Sequence, residues 1–375
     1  MRSARFLVPA LIFVAPLTGA RAQNAAINQI KIDEAIDRGL DYLQKETAAG
    51  LPVIDLDVAK GLTTHELVFY TMVKGGTARN HPAFVKLLDV LLKKDLKHTY
   101  CVSLLAMALN ALDPEVYQSR IAQCAQFLVD NQCKNGQWSY GKPVEMEKLT
   151  LTPSMKTSYS SPAPGAISAS RPEPAKATKA LKPVMIRQRG NGPADGDNSN
   201  SQYATLGLRA CIDSGIVIES KVLELAAEWW EDAQTKDGGW SYQGEKREAY
   251  GSMTAGGIGS LSILRHYLRK TLRGDKHVDE GLEWLGREFE PGKNPKADAK
   301  KEHWAYYYLY GVERVGSLYA AQVLGGHDWY AEGSSWLLPK QKKTGQWGAG
   351  ISDTCWSILF LRRATKPLVK VYSGK

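Results

Sequence analysis

One short motif recurs three times along the chain, and it constrains the fold more than any other feature. Each copy has the form glutamine, three residues, glycine, one residue, tryptophan, and the copies end at Trp138, Trp240 and Trp347. A bulky aromatic residue stands five positions before each glutamine. The glycine can adopt the left-handed conformation that ends a helix, and the glutamine amide can then bond the freed carbonyls. The motif therefore predicts a clasp that closes one helix pair against the next, repeated along an array.

The stretches between the motifs predict helices of two kinds in strict alternation. Six have one polar face, and they span residues 33–45, 82–93, 117–131, 219–234, 278–288 and 330–340. Six are apolar on nearly every side, and they span residues 64–74, 99–112, 201–213, 254–270, 303–319 and 354–363. A helix that is apolar all round has to be buried, and one with a polar face can cover it. The pattern predicts an all-α fold with six inner and six outer helices, in which ring closure removes the exposed ends of an open array.

The three motifs resemble the QW motifs of the terpenoid cyclase and protein prenyltransferase superfamily, which includes the squalene–hopene cyclases. The resemblance covers residues 30–368 apart from one insertion, and two further positions, near Tyr42 and Trp284, keep the first half of the pattern. It implies an (α/α)6 toroid over residues 25–375. It also implies a central cavity that binds a hydrophobic, isoprenoid or lipid-like small molecule.

The amino-terminal residues have the composition of an export signal. Arg2 and Arg5 precede an apolar run over residues 6–17, and small residues flank Arg21. These are the three regions of a secretory signal peptide, so we expect residues 1–22 to be removed by cleavage near Ala22. The mature protein is then periplasmic or extracellular. The apolar run is too short for a transmembrane segment, and no other stretch of the sequence is long enough.

Charge and cysteine content exclude two further classes. The formal net charge is +9, but much of the basic excess lies between residues 142 and 189. Without a uniformly basic surface or a nucleic-acid motif, we expect no nucleic-acid partner. The five cysteines are odd in number and form no tight pair motif, which favours buried thiols over a disulfide framework.

Residues 142–196 interrupt the helical pattern. This insertion is rich in proline, serine, alanine and lysine, with few large apolar residues. Such a composition predicts a disordered or extended excursion rather than a packed element. Two interpretations stay open: a surface loop, or a lid or docking segment for a partner protein.

Candidate ligand contacts lie where the inner helices begin. Their amino termini converge on one mouth of the ring, where the helix dipoles favour a polar or anionic group. Squalene–hopene cyclases carry an Asp-x-Asp-Asp motif at a comparable helix start, and its central Asp protonates an alkene. This chain keeps Asp197 but has Ser199 and Asn200 in the later places, and neither can deliver such a proton. Asp197 is retained as a catalytic candidate, acid-triggered cyclisation is doubtful, and Asn198, Asn200 and Gln202 are predicted to contact the ligand.

A second set of candidate residues resembles a metal site. Asp353 and Cys355 stand two apart in a context similar to the zinc ligands of the protein prenyltransferases, and ring closure would bring His65 beside them, with His303 as another candidate. Asp, Cys and His are suited to zinc with an open fourth position. The alternative is that Asp353 caps a helix and Cys355 fills the core.

A third set lies on one helix. His303, Tyr307, Tyr310 and Arg314 share a face, and aromatic faces can stabilise a carbocation or stack on a sugar. We take His303 and Tyr307 as catalytic candidates and Tyr310 and Arg314 as ligand contacts. Packing between the two rings of helices is the alternative for the tyrosines.

Whether the protein is an enzyme is left open by the sequence. It fits a terpene cyclase or prenyltransferase homologue, a non-catalytic binding or scaffold toroid, or a polysaccharide lyase-like toroid. The lumen discriminates between them. A deep apolar cavity favours a lipid, an open groove of Tyr, Arg and Asn favours a glycan, and a lumen filled by side chains favours a scaffold.

Overall fold

A computed structural model describes residues 19–50, 55–57, 62–63, 65–144, 181–244, 247–271, 274–298 and 304–368. Side chains are described from Gln29 onward, and not within the two short strands before His65. Most of the predicted signal peptide and the predicted catalytic His303 therefore lie outside the described residues.

The described part of the chain contains twelve α-helices. They are α1 (Gly19–Gly50), α2 (His65–Gly75), α3 (Pro82–Lys93), α4 (Thr99–Leu112), α5 (Gln118–Asp130), α6 (Asn198–Asp213), α7 (Ser220–Asp232), α8 (Gly251–Tyr267), α9 (Lys276–Glu288), α10 (Ala305–Tyr319), α11 (Trp329–Leu337) and α12 (Ile351–Leu361). Four short strands accompany them: β1 (Asp55–Asp57) pairs antiparallel with β2 (Leu62–Thr63), and β3 (Val184–Ile186) pairs parallel with β4 (Ile216–Ile218). Among these residues no helix combines the length and apolar character needed to cross a bilayer.

The even-numbered helices form a closed ring. Each contacts the next in sequence order, and α12 returns to contact α2. The odd-numbered helices pack outside them, for example α3 on α2, α5 on α4 and α9 on α8. The prediction of an all-α toroid with six inner and six outer helices is confirmed.

Small residues let the inner helices approach their neighbours closely. Helix α8 is buried from Gly251 to Arg265, and the indole of Trp240 lies directly against Gly257, where a Cβ atom would overlap it. A glycine in mid-helix weakens the helix by about 1 kcal/mol relative to alanine. Here that cost is offset because the glycine admits a fully buried tryptophan side chain.

The three motif glutamines make the same pair of contacts. Each Nε2 donates to the carbonyl of its own motif glycine and to a carbonyl in the next outer helix. The second acceptors are Val222 for Gln132 (2.8 Å), His277 for Gln234 (2.9 Å) and Ala35 for Gln341 (2.8 Å). The motif glycines all have φ between 91° and 92°, as predicted for a left-handed turn. The third copy joins the last helix pair to α1 and so closes the ring.

The motif tryptophans are equally regular. Each is fully buried, and each indole nitrogen donates to the carbonyl ten residues earlier: Trp138 to Leu128, Trp240 to Trp230 and Trp347 to Leu337. Each main-chain nitrogen donates to a hydroxyl in the first turns of the next inner helix: Ser201, Thr254 and Thr354. The motif thus fixes an outer helix, the turn and the following inner helix to one another.

The insertion of residues 142–196 is described at its two ends, and residues 145–180 lie outside the described part. From Leu181 the chain is extended and follows α5 toward the start of α6. β3 pairs with β4, the main-chain nitrogen of Arg189 donates to Asp130 (2.6 Å), and that of Gly192 donates to the carbonyl of Gln132 (2.9 Å). A lid or partner-docking role for the rest of the insertion stays a prediction.

Candidate functional site

Asp197 stands at the amino-terminal mouth, where it caps α6. Its carboxylate accepts hydrogen bonds from the main-chain nitrogen of Asn200 (2.8 Å), the hydroxyl of Ser199 (2.7 Å) and the side-chain amide of Asn200 (2.8 Å). This is the arrangement of an N-cap. The two positions where the cyclases carry further carboxylates hold donors to Asp197 instead.

Asn198 and Asn200, which are also predicted to contact the ligand, differ in their hydrogen bonds. The Oδ1 atom of Asn198 accepts from the indole of Trp229 (2.7 Å) and its amide donates to the carbonyl of Ser241 (2.9 Å). Because Trp229 lies on the outer helix α7, Asn198 joins α6 to an outer helix and does not face the lumen. The Oδ1 atom of Asn200 has no hydrogen-bond partner among the described residues.

A series of hydrogen-bonded polar side chains crosses the lumen below this mouth. The amide of Gln202 donates to the hydroxyl of Tyr307 (2.8 Å), and the Nη2 atom of Arg314 donates to the Oε1 atom of Gln202 (2.7 Å). The guanidinium also lies over the rings of Tyr310, 4.5 Å from the centroid, and Tyr203, at 5.5 Å. Helices α6 and α10 are not neighbours in the ring, so these bonds span the interior. The structure brings together four of the predicted site residues: Gln202, Tyr307, Tyr310 and Arg314.

An aromatic layer lies across the lumen near the same mouth. Its five members come from the first turns of four inner helices or from the cap of α10: Tyr100, Tyr203, Trp304, Tyr307 and Trp356. Ring centroids are 4.3 Å apart for Tyr100 and Tyr203, 5.2 Å for Tyr307 and Trp356, and 5.9 Å for Trp304 and Trp356. The hydroxyls of Tyr100 and Tyr307 are 3.4 Å apart, and they belong to opposite helices of the ring. The layer therefore closes the lumen at this level.

The tyrosines of the layer are neutral at ordinary pH. Burial raises the pKa of Tyr100, Tyr203 and Tyr307, because a phenolate would be poorly solvated there. A neutral tyrosine can donate a hydrogen bond through its hydroxyl and present the π face of its ring to an apolar ligand. These tyrosines are not suited to act as bases.

The opposite mouth is closed by the carboxyl-terminal segment. The carboxylate of Glu313 accepts from the main-chain nitrogen of Thr365 (3.0 Å) and its hydroxyl (2.7 Å), and Arg209 donates to the carbonyls of Lys366 (2.8 Å) and Pro367 (3.2 Å). A cavity of only ≈ 50 Å³ lies beneath this segment. Burial raises the pKa of Glu313, yet its bonds to Thr365 direct it away from the aromatic layer.

The predicted zinc ligands are not brought together. Asp353 accepts from the main-chain nitrogen of Ala349 (2.7 Å), Cys355 is buried on the inner ring and His65 is buried at the start of α2. Across the described ranges, no group of three or more His, Cys, Asp or Glu side chains could hold a metal ion. His303, the alternative ligand, lies outside them.

The thiol of Cys355 offers a direct check of this placement. Burial raises its pKa to about 12, so the nucleophilic thiolate is scarce. In the folded protein at pH 8, we expect iodoacetamide to alkylate Cys355 about a thousandfold more slowly than in the unfolded chain, in proportion to the thiolate fraction. Peptide mass spectrometry after timed quenching measures both rates. Labelling of the folded protein at the unfolded rate would show an accessible, activated cysteine instead.

The fold can be compared with known structures. The chain is similar to solved structures of the type II terpene cyclase MstE from Scytonema. An arginine-to-alanine variant in complex with geranylgeranyl dihydroxybenzoate, its substrate, superposes with a TM-score of 0.52 at 10% sequence identity, over 90% of this chain and 99% of that chain. An aspartate-to-alanine variant in complex with merosterolic acid A, its product, gives 0.52 at 11% identity, over 90% and 97%.

The sequence comparisons found no match. No protein-family model matches the chain, and no curated protein sequence matches it. At such low identity the structural likeness establishes the fold alone. The chain has a terpenoid cyclase-like fold, an all-α toroid.

Proposed function

We propose that the protein binds an isoprenoid or similar lipid-like molecule in the toroid lumen and does not cyclise it by protonating an alkene. The observation that carries the proposal is the aromatic layer across the entrance of the lumen. Four rings from four inner helices and the ring of Trp304 at the cap of α10 contact one another there, and large π faces bind apolar chains well. The fold shared with a terpene cyclase that has been captured with a geranylgeranyl substrate supports the same class of ligand.

The layer has to part for a ligand to enter. The hydroxyls of Tyr100 and Tyr307 are 3.4 Å apart, well beyond the usual length of an O–H···O bond, so this contact adds little resistance. The bond from Gln202 to Tyr307 and the ring contacts of Tyr100 with Tyr203 and of Tyr307 with Trp356 have to be rearranged. Rotation of these side chains is the movement that we propose for opening the lumen. The polar groups beneath, Gln202 and Arg314, then become available to the ligand.

The acid groups at the site support the proposal that the protein does not cyclise its ligand. Among the described residues, the carboxylate at the amino-terminal mouth that corresponds to the cyclase motif is Asp197, and three hydrogen bonds hold it as a helix cap. Glu313 is bonded to Thr365 and Ser317 at the other mouth. Protonation of an alkene needs a strong acid pointed at the substrate, and these residues do not supply one.

A scaffold role is the second candidate, and a specific observation favours it. Side chains from opposite inner helices meet across the lumen, as Tyr100 and Tyr307 do, and the polar chain from Gln202 to Arg314 spans it as well. If these contacts never open, the lumen is simply a core. A measurement of ligand binding distinguishes the lipid-binding role from the scaffold role.

The test combines a binding titration with product analysis. Protein without residues 1–22 is titrated with geranylgeraniol, and the fluorescence of its tryptophans, two of which lie in the aromatic layer, reports binding. Mixtures with squalene or geranylgeraniol are then analysed by gas chromatography and mass spectrometry. We expect saturable binding and no cyclised product.

Two matched glycine variants in α8 locate the site. A Cβ atom at Gly256 would lie 2.9–3.0 Å from the side-chain amide of Gln202, whereas at Gly259 the nearest atom would be 3.6 Å away. Gly256→Ala is therefore expected to weaken geranylgeraniol binding by about tenfold, or about 1.4 kcal/mol, and Gly259→Ala to leave it unchanged. Equal effects of the two variants would place the ligand elsewhere, and absence of binding to the parent protein would favour the scaffold.

A further inference from the structure

Three arginines are buried in the described part of the chain, and they differ in how their charge is neutralised. Arg265 forms ion pairs with Glu231 (2.7 Å) and Asp275 (2.7 Å). Arg209 lies 3.6 Å from the carboxylate of Asp213 and also donates to two carbonyls of the carboxyl-terminal segment. A buried charge normally has such partners, because its transfer from water is costly without them.

Arg314 has no such partner. Its side chain is as buried as the other two, with 3% of the residue exposed. None of the ion pairs among the described residues involves it. Its Nη2 atom donates to Gln202, and its Nη1 atom has no hydrogen-bond partner among those residues. The rings of Tyr310 and Tyr203 offset part of the cost through cation–π contact, but they carry no negative charge.

The unpaired guanidinium lies in the lumen. Side chains on a helix lean toward its amino terminus, and Arg314 accordingly reaches back to Gln202 and to the ring of Tyr310. The Cα atom of Arg314 lies seven residues, or about 10.5 Å, beyond that of Tyr307 along α10. A molecule that passes the aromatic layer therefore meets this cation next.

We infer that the lumen ligand carries a single carboxylate that pairs with Arg314, with its apolar body held between the rings of the aromatic layer. This inference rests on the proposed function. One fixed cation matches a singly charged group, and a guanidinium forms strong charge-assisted bonds to carboxylates. A diphosphate would bring several negative charges to a place where the described residues offer one free cation.

The test compares probes that share one apolar chain and differ in the head group. Geranylgeranoic acid, geranylgeraniol and geranylgeranyl diphosphate are titrated into protein without residues 1–22 at pH 8. The parent protein is expected to bind the acid at least about tenfold more tightly than the alcohol, since a desolvated charge-assisted pair adds more than a neutral hydrogen bond. Arg314→Met is expected to remove that preference by weakening the acid alone.

Two further variants keep the test decisive. Arg314→Lys retains the charge, folds with the least disturbance and should keep part of the preference for the acid. Arg265→Lys changes a buried arginine outside the lumen and should keep the preference in full. Loss of the preference in Arg265→Lys as well would show a general effect on folding and overturn the assignment to Arg314.

The outcomes separate this inference from the proposed function. Equal binding of acid and alcohol by the parent protein would refute the carboxylate and leave the lumen as an isoprenoid site. Preference for the diphosphate would refute the singly charged head group. Failure of every probe to bind would overturn the proposed function itself.

Discussion

Replacing Trp347 with alanine is expected to lower the free energy of unfolding by about 4 kcal/mol, the usual cost of removing a buried aromatic side chain. The indole is fully buried, and its nitrogen donates to the carbonyl of Leu337 (2.9 Å). It also packs so closely on Gly39 of α1 that a Cβ atom there would lie 2.8 Å from the ring. Trp347 thus joins the last helix pair to the first, and its loss removes apolar contact at the closure of the ring.

Trp336 provides the matched control. It belongs to the outer helix α11, which precedes Trp347 along the chain, but it is only half-buried, and it contacts Tyr306 and the ammonium group of Lys340. Trp336→Ala should therefore cost about 1–2 kcal/mol, in proportion to its smaller buried area. Urea unfolding monitored by circular dichroism compares the two variants. Equal losses of stability would mean that the ring closure contributes nothing beyond ordinary burial.

Two buried arginines are expected to respond differently to the same substitution. Arg265→Met should lower the free energy of unfolding by about 3 kcal/mol, because it leaves Asp275 buried and without its cation. Arg314→Met removes a charge that has no counter-ion among the described residues, so we expect it to change stability by less than about 1 kcal/mol or to raise it. Loss of the bond to Gln202 and of the cation–π contacts limits the gain.

The comparison is made without added ligand, by urea unfolding of both variants and the parent protein. A ligand that pairs with Arg314 would stabilise the parent protein by mass action and hide the effect. If Arg314→Met were as destabilising as Arg265→Met, the guanidinium would have to be neutralised within the protein itself. The inference of a free cation in the lumen would then be wrong.

The fold could be predicted from the sequence because its signals are local and repeated. Hydrophobic periodicity predicted each of the twelve helices, and the motif glycines predicted the turns between pairs. The differences lie at helix ends. The sixth helix begins at Asn198 rather than at residue 201, because Asp197 caps it from outside the apolar stretch, and polar cap residues carry no periodic signal.

The candidate site was harder to predict because it depends on which side chains meet across the lumen. Asn198 and Gln202 stand one turn apart at the start of the same helix, yet Asn198 bonds the outer wall and Gln202 bonds Tyr307. Only the packing of α7 against the mouth decides between them. Tyr100 and Tyr203 were missed, although large aromatic residues in the first turns of otherwise small-residue inner helices are a signal that could have found them.

Glu313 and Arg314 show the same limit on one helix. The two residues are neighbours on α10, and Glu313 bonds Thr365 at the far mouth. Arg314 instead reaches back to Gln202, since the next position on a helix points about 100° away and leans toward the amino terminus. A pattern of residue types locates a charge on a helix but does not reveal whether a counter-ion faces it.

The most direct test of the account is calorimetric titration of the protein without residues 1–22 with geranylgeraniol at several temperatures. We expect one molecule bound per chain, with a negative heat-capacity change from burial of the apolar chain, and the alcohol recovered unchanged. Absence of saturable binding, or recovery of a cyclised product, would contradict the proposal that this toroid binds a lipid-like molecule without cyclising it.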